Sequence, residues 1–145
     1  METLEATLDA LYASISFAKG ATPHLDLLRS LFLPQGLLIN NNTPETPVVM
    51  GVEDFCGVVE TALASGNLTE FHEKEIARTV EVFGNIAHVF STYEARFDAS
   101  AKEPFSVGIN TIQLIRTGGV WRVSSMAWND QTPQMLIPTH YLPQR

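Results

Sequence analysis

The chain has 145 residues, of which 45% are hydrophobic and only 17% charged, and its formal charge is −7 at pH 7. That is one domain's length, enough to bury a sizeable core and too apolar to remain disordered. Its nine Lys and Arg residues are scattered, which excludes a phosphate-backbone partner and an anionic membrane surface.

The stretch from Met1 to Gly20 carries Glu2, Glu5 and Asp9 where a secretory signal would be basic. No apolar run reaches membrane-spanning length, so the expected location is the cytoplasm. Thr3 is placed to cap a helix running to about Ala18, with Leu4, Leu8, Leu11, Tyr12 and Ile15 on one stripe and Gly20 as its stop. Thr22-Pro23 then supplies an N-cap and a first-turn proline for a short helix that turns Leu25, Leu28 and Leu31 or Phe32 inward. Gly36 to Asn40 reads as a short strand and Asn41 to Pro47 as a loop. Val52 to Ala64 reads as a third helix, with Phe55, Val58, Val59 and Leu63 inward. Cys56, the only cysteine, excludes an intrachain disulfide and a cysteine-based zinc site.

After Asn67 the period changes to that of strands. Two Gly-centred turns, at Phe83-Gly84-Asn85-Ile86 and Thr117-Gly118-Gly119-Val120, predict two hairpins, and a two-residue loop fixes the register of each. The Pro133 to Arg145 segment, with three prolines, reads as an extended arm across a cavity mouth or a partner subunit.

The helices followed by Leu31-Phe32-Leu33-Pro34-Gln35-Gly36, the third helix after Gly51, and the closing hairpin from Ile112 to Val123 resemble the nuclear transport factor 2-like (NTF2-like) superfamily, in particular its SnoaL-like branch. The resemblance covers nearly the whole chain and lies in shape rather than in chemical motifs. It implies an α+β cone, with three helices from the N-terminal half packed on a curved, mainly antiparallel sheet. Residues 1–132 form its single domain and 133–145 its tail. It also implies pairing into dimers through the outer sheet face.

In the first hairpin an uninterrupted register sets Val82 opposite Ala87, Val80 opposite Val89, Arg78 opposite Ser91 and Ile76 opposite Tyr93 on the face toward the helices. Glu81 with His88, Thr79 with Phe90, and Glu75 with Glu94 then face outward. In the second, Arg116, Leu114, Ile112 and Asn110 share the inward face with Trp121, Val123, Ser125 and Ala127. Gln113, Ser124, Thr111, Met126, Ile109 and Trp128 face outward. Phe90, Met126 and Trp128 then make the outer face too apolar for water, and a homodimer is expected to cover them.

The expected ligand site is an apolar cavity with Arg78, Ser91, Tyr93, Asn110 and Ser125 convergent within it and Tyr12 added from the first helix. Each residue also has a structural reading. A guanidinium on a core face calls for a carboxylate partner, such as Asp26 or Asp54, or for a wet cavity. Tyr93 reads as an acid or as a core aromatic with its hydroxyl tied down, and His88 as a base or as a surface contact. Glu75 opposite Glu94 is an unfavourable like-charge pair. His24, His72, His88 and His140 show no metal-ligand spacing, there is no phosphate-binding loop, and no metal or cofactor is called for. The favoured function is a dimeric small-molecule-binding protein of the SnoaL-like kind. The alternative is a cofactor-free isomerase, dehydratase or cyclase with Tyr93 and either His24 or His88 as acid and base. A histidine or carboxylate within hydrogen-bond reach, about 2.6–3.2 Å, of a ligand held by Tyr93 or Arg78 would favour the enzyme, and a cavity holding only Arg, Ser, Tyr and Asn would favour binding.

Overall fold

Thr3 opens the first helix, its hydroxyl accepting from the Ala6 amide at 3.1 Å, and α1 (Leu4–Ile15) follows. The structure, a computed structural model, describes residues 2–144. Helix α1 stops at Ile15, short of Ala18, because tertiary contacts draw the chain away. Ser16 Oγ lies 2.9 Å from the Tyr12 carbonyl and 3.1 Å from both the amide and the carbonyl of Glu73, and Phe17 pairs with Phe71. Helix α2 (Leu25–Leu31) starts later than Thr22-Pro23 suggests, with His24 at the cap and its amide donating to the Ser14 carbonyl at 2.8 Å. Helix α3 (Val52–Ala64) has the expected bounds, and the Asp54 carboxylate accepts from the Gly51 amide at 3.1 Å. Its inward stripe runs through Val52, Phe55, Cys56 and Val59, while Val58 turns to solvent.

Six strands form one mixed, curved sheet that does not close: β1 (Phe32–Asn40), β2 (Val48–Gly51), β3 (His72–Phe83), β4 (Ile86–Arg96), β5 (Ser106–Thr117) and β6 (Val120–Asp130), in the order β2-β1-β6-β5-β4-β3. Among the described residues only β1 and β6 pair in parallel. The three helices lie against one face, and Leu8, Leu28, Leu31, Leu38, Val89, Ile112, Leu114 and Val123 close the core between them.

Both turns hold, with Phe83 opposite Ile86 and Thr117 opposite Val120. Both registers then break partway along. Between Glu75 and Ala77 a bulge takes Ile76 out of the pairing, so Glu75 sits opposite Tyr93, Lys74 opposite Glu94 and Glu73 opposite Ala95. The expected pairs Ile76–Tyr93 and Glu75–Glu94 do not form. A second bulge falls between Gln113 and Leu114 and skips Ser124, so Gln113 meets Ser125, Ile112 meets Met126, Asn110 meets Trp128 and Gly108 meets Asp130. A bulge adds one residue to one strand, and everything beyond it changes face.

The second bulge corrects three expectations at once. Ser125 leaves the inward face, and Met126 and Trp128 leave the outer one. Met126 is buried in the core, and Trp128 packs edge-on to Phe55 with ring centroids 6.2 Å apart. Of the apolar outer-face trio only Phe90 remains there. The C-terminal segment folds back over it: Thr139–Tyr141 form a short 3-10 turn, the Tyr141 ring lies 5.0 Å from that of Phe90, and Thr92 Oγ1 donates to the Tyr141 carbonyl at 2.6 Å. Residues 139–142 therefore cover their own sheet; Arg145 lies outside the described residues.

Candidate functional site

On the inward face the strands align three rows of side chains. Val80, Val89, Ile112, Met126 and Leu38 form an apolar row; Arg78, Ser91, Asn110 and Trp128 form the next; Glu75, Tyr93, Gly108 and Asp130 form the third. Glu73 lies one step further along β3, opposite Ala95.

The polar rows are mostly satisfied from within. Arg78 Nε donates to Glu75 at 2.5 Å and its Nη2 donates to Asp9 on α1 at 3.0 Å, so its partners are Glu75 and Asp9 rather than Asp26 or Asp54. Ser91 Oγ donates to the other Glu75 oxygen. Its single proton committed, Ser91 accepts from Tyr12 Oη at 2.6 Å, and Tyr12 Oη in turn accepts from Asn110 Nδ2 at 3.0 Å. One chain of hydrogen bonds thus runs Asn110–Tyr12–Ser91–Glu75–Arg78–Asp9 from the interior to the surface. Tyr93 is held separately: its hydroxyl donates to Asp130 Oδ1 at 2.5 Å, and Asn42 clamps Asp130 through Nδ2 at 3.1 Å and through the Asp130 amide at 2.7 Å. Burial raises the Tyr12 pKa; burial and then the Asp130 carboxylate raise that of Tyr93, so both phenols stay neutral.

Glu73 differs from all of these. Its carboxyl meets no hydrogen-bond partner among the described residues, and desolvation, followed by the charge of Asp130, pushes its pKa up to about 8. By accessible area Glu73 is half-buried, because it stands in the wall of two cavities. Protein surrounds it closely enough for lost hydration to dominate.

The first cavity, of about 250 Å³, is lined by Leu11, Leu28, Leu38, Phe55, Met126 and Trp128 among others, and its polar side chains include Glu73, Asn110 and Tyr12 beside the indole of Trp128. Phe71 and Phe97 line it as well, and Phe97 stacks on Phe105 with centroids 4.0 Å apart, joining the β4–β5 loop to this wall. The second cavity is an open, charged cleft bounded by Ser16, His72, Lys74, Glu94 and Arg96. Its charges are paired: Arg96 and Lys74 with Glu94 at 2.8 and 3.4 Å, and His72 with Glu70 at 2.6 Å. Among the described residues no group of three or more His, Cys, Asp or Glu is placed to hold a metal ion.

The structure therefore brings Tyr12, Ser91 and Asn110 together and sets Arg78 beside them in an ion pair. Tyr93 stands one row away, on Asp130. Ser125 is on the other side of the sheet. His24 is exposed at the start of α2, and His88 is exposed on the outer face with Nε2 2.5 Å from Glu81, so neither lines the apolar cavity. Two functional candidates escaped the straight registers, Glu73 and Asp130. The signal that could have found Glu73 was the like-charge pair of Glu75 and Glu94, since a bulge relieves it and puts Lys74 beside Glu94 instead.

No protein-family model matches the chain, and no curated protein matches it in sequence. Solved structures do match it in shape. An NTF2-like protein of unknown function from Shewanella baltica aligns over 88% of this chain and 93% of its own, with a TM-score of 0.62 and 14% identity. Another, from Pseudomonas putida, aligns over 93% and 90%, with a TM-score of 0.67 and 11% identity. A candidate dehydratase of the NTF2-like family from Streptomyces avermitilis aligns over 90% and 95%, with a TM-score of 0.64 and 17% identity. At these identities the likeness establishes the fold alone: the chain has the α+β cone of NTF2-like proteins.

Proposed function

We propose that this NTF2-like cone binds a small, mostly apolar molecule in the Glu73 cavity and moves a proton on it without a cofactor, as a SnoaL-like isomerase, dehydratase or cyclase does. One observation carries the reading: a carboxyl with no protein partner, aimed into an apolar cavity and titrating near pH 8. A group whose pKa lies near neutral pH both gives and takes a proton efficiently, and an apolar surround is how a carboxyl reaches that range. In this reading Glu73 exchanges the proton and Asn110 anchors the ligand. Tyr12 and Ser91 hold Asn110 in place, and the Tyr93–Asp130 pair places a fixed negative charge behind Glu73.

Binding without turnover is the second reading. What favours it is that Tyr12, Tyr93 and Arg78 are all engaged with protein groups, leaving Glu73 without an evident second proton-transfer partner. The two separate on a generic proton-transfer probe. 5-Nitrobenzisoxazole is a neutral bicyclic compound that ring-opens when a base removes its one isoxazole C–H proton. Turnover is expected to rise with pH to a plateau above about pH 8, following ionised Glu73, and to vanish in Glu73→Gln. Equal rates in the two proteins would leave only the binding reading.

We also propose that the protein works as a cytoplasmic homodimer paired through the outer sheet face. Phe90 and Ile109 on that face and the buried free thiol of Cys56, which suits a reducing compartment, support this.

A further inference from the structure

We infer that the cavity selects a neutral compound of one or two rings that presents an acceptor oxygen, such as a ketone, to the Glu73 carboxyl, and that it rejects carboxylates of the same shape. This inference rests on the reading of the cavity as a ligand site and adds the class of ligand.

Size sets the first limit. At about 250 Å³ the cavity falls just below the ~300–1,000 Å³ typical of drug-sized ligands, which leaves room for one or two rings rather than an extended polycycle. Charge sets the second. Among the described residues no Lys, Arg or His lines the cavity. Arg78, which shares a row with Ser91 and Asn110, is held by Glu75 and Asp9, and Arg96 and Lys74 are paired with Glu94 in the other cleft. An anion entering here would lose its hydration and gain no counter-charge. The polar groups fix the third feature. A protonated Glu73 offers an O–H with no protein acceptor, and a carbonyl oxygen satisfies it, whereas a ligand with only donors leaves that proton unpaired.

The same geometry makes affinity depend on pH. The titratable groups around Glu73 are Tyr12 on α1, Tyr93 on β4 and Asp130 on β6; His72, Lys74 and Glu75 are its neighbours on β3, and Glu94 and Arg96 lie across the second cleft. The tyrosines remain neutral, and the cleft charges are paired. Glu73 is therefore the group whose ionisation above pH 8 removes the donor.

The test is calorimetric titration of the full chain with 2-acetylnaphthalene and with 2-naphthoate, two probes of nearly equal shape that differ in charge. At pH 7 the ketone is expected to bind at least tenfold more tightly than the carboxylate. From pH 7 to pH 9 its affinity should fall about tenfold, as the protonated fraction of a group titrating near 8 does. In Glu73→Gln, which keeps an N–H donor, ketone binding should persist and lose its pH dependence. Naphthoate binding as tightly as the ketone, or a flat pH profile in the unmodified protein, would overturn the inference while leaving the cavity a ligand site. Failure of both probes to bind would overturn the inference and the cavity reading together.

Discussion

A carboxyl that titrates near pH 8 in the folded protein and near ~4.3 in the unfolded chain weakens the fold as pH rises. Below pH 4 both states hold the proton and nothing is lost. Between the two values the unfolded chain releases its proton and the folded one does not, so stability falls until the folded group ionises too. The full effect is a few kcal/mol after allowance for the part of Glu73 that remains open. Replacing Glu73 by Gln removes this dependence. Urea unfolding should therefore show the stability of E73Q relative to the parent growing by about 2–4 kcal/mol between pH 5 and pH 9, and a constant difference would refute the assignment. Glu94 acts in the opposite sense. The hydrogen bond from Arg96 holds its pKa down, so its contribution is present at neutral pH and disappears as the solution is acidified.

At the scale of elements, the hairpins were legible near their turns and illegible beyond their bulges. Gly84-Asn85 and Gly118-Gly119 impose their loops by local backbone chemistry, with Gly84 at φ 56° and Gly118 and Gly119 at 59° and 77°. Each bulge instead satisfies a distant requirement. One separates Glu75 from Glu94; the other brings Met126 and Trp128 from water to the core. Strand alternation alone carries no sign of either, and so Arg78, Ser91, Tyr93 and Asn110 were legible as inward while Glu75 and Ser125 were assigned to the wrong face. Gly108 shows how tightly the corrected register packs. A β-carbon there would lie 2.2 Å from Tyr93 Oη and 2.6 Å from the Asn129 carbonyl, and the backbone contact cannot be relieved by rotating a side chain. Gly108→Ala is expected to cost about 2–3 kcal/mol in thermal or urea unfolding, and a loss under ~0.5 kcal/mol would contradict the packing described.

For the whole molecule, the order of two helices, one short strand, a third helix and an antiparallel meander carried the resemblance that implied the cone, while the second short strand, β2, was not foreseen. The proposed pairing of copies is a separate matter that rests on the outer face. Phe90 lies there beneath Tyr141, and Ile109, on the adjacent strand β5 opposite Thr92 and on the same side, is half-buried in the single chain. Native mass spectrometry is expected to give a dimer for the parent protein and a monomer for Phe90→Glu, which places a charge in the interface. A monomeric parent would remove the dimer from the account and leave the cavity as it stands.

The neutrality of Glu73 at physiological pH can be read by carbon-13 NMR titration of the side-chain carboxyl resonances, with E73Q identifying the signal. One glutamate midpoint is expected close to pH 8 and is expected to be missing from the variant. A Glu73 midpoint in the ordinary range near ~4.3 would mean that the carboxyl is hydrated and charged, and the proposed proton transfer and ketone selection would both lose their basis.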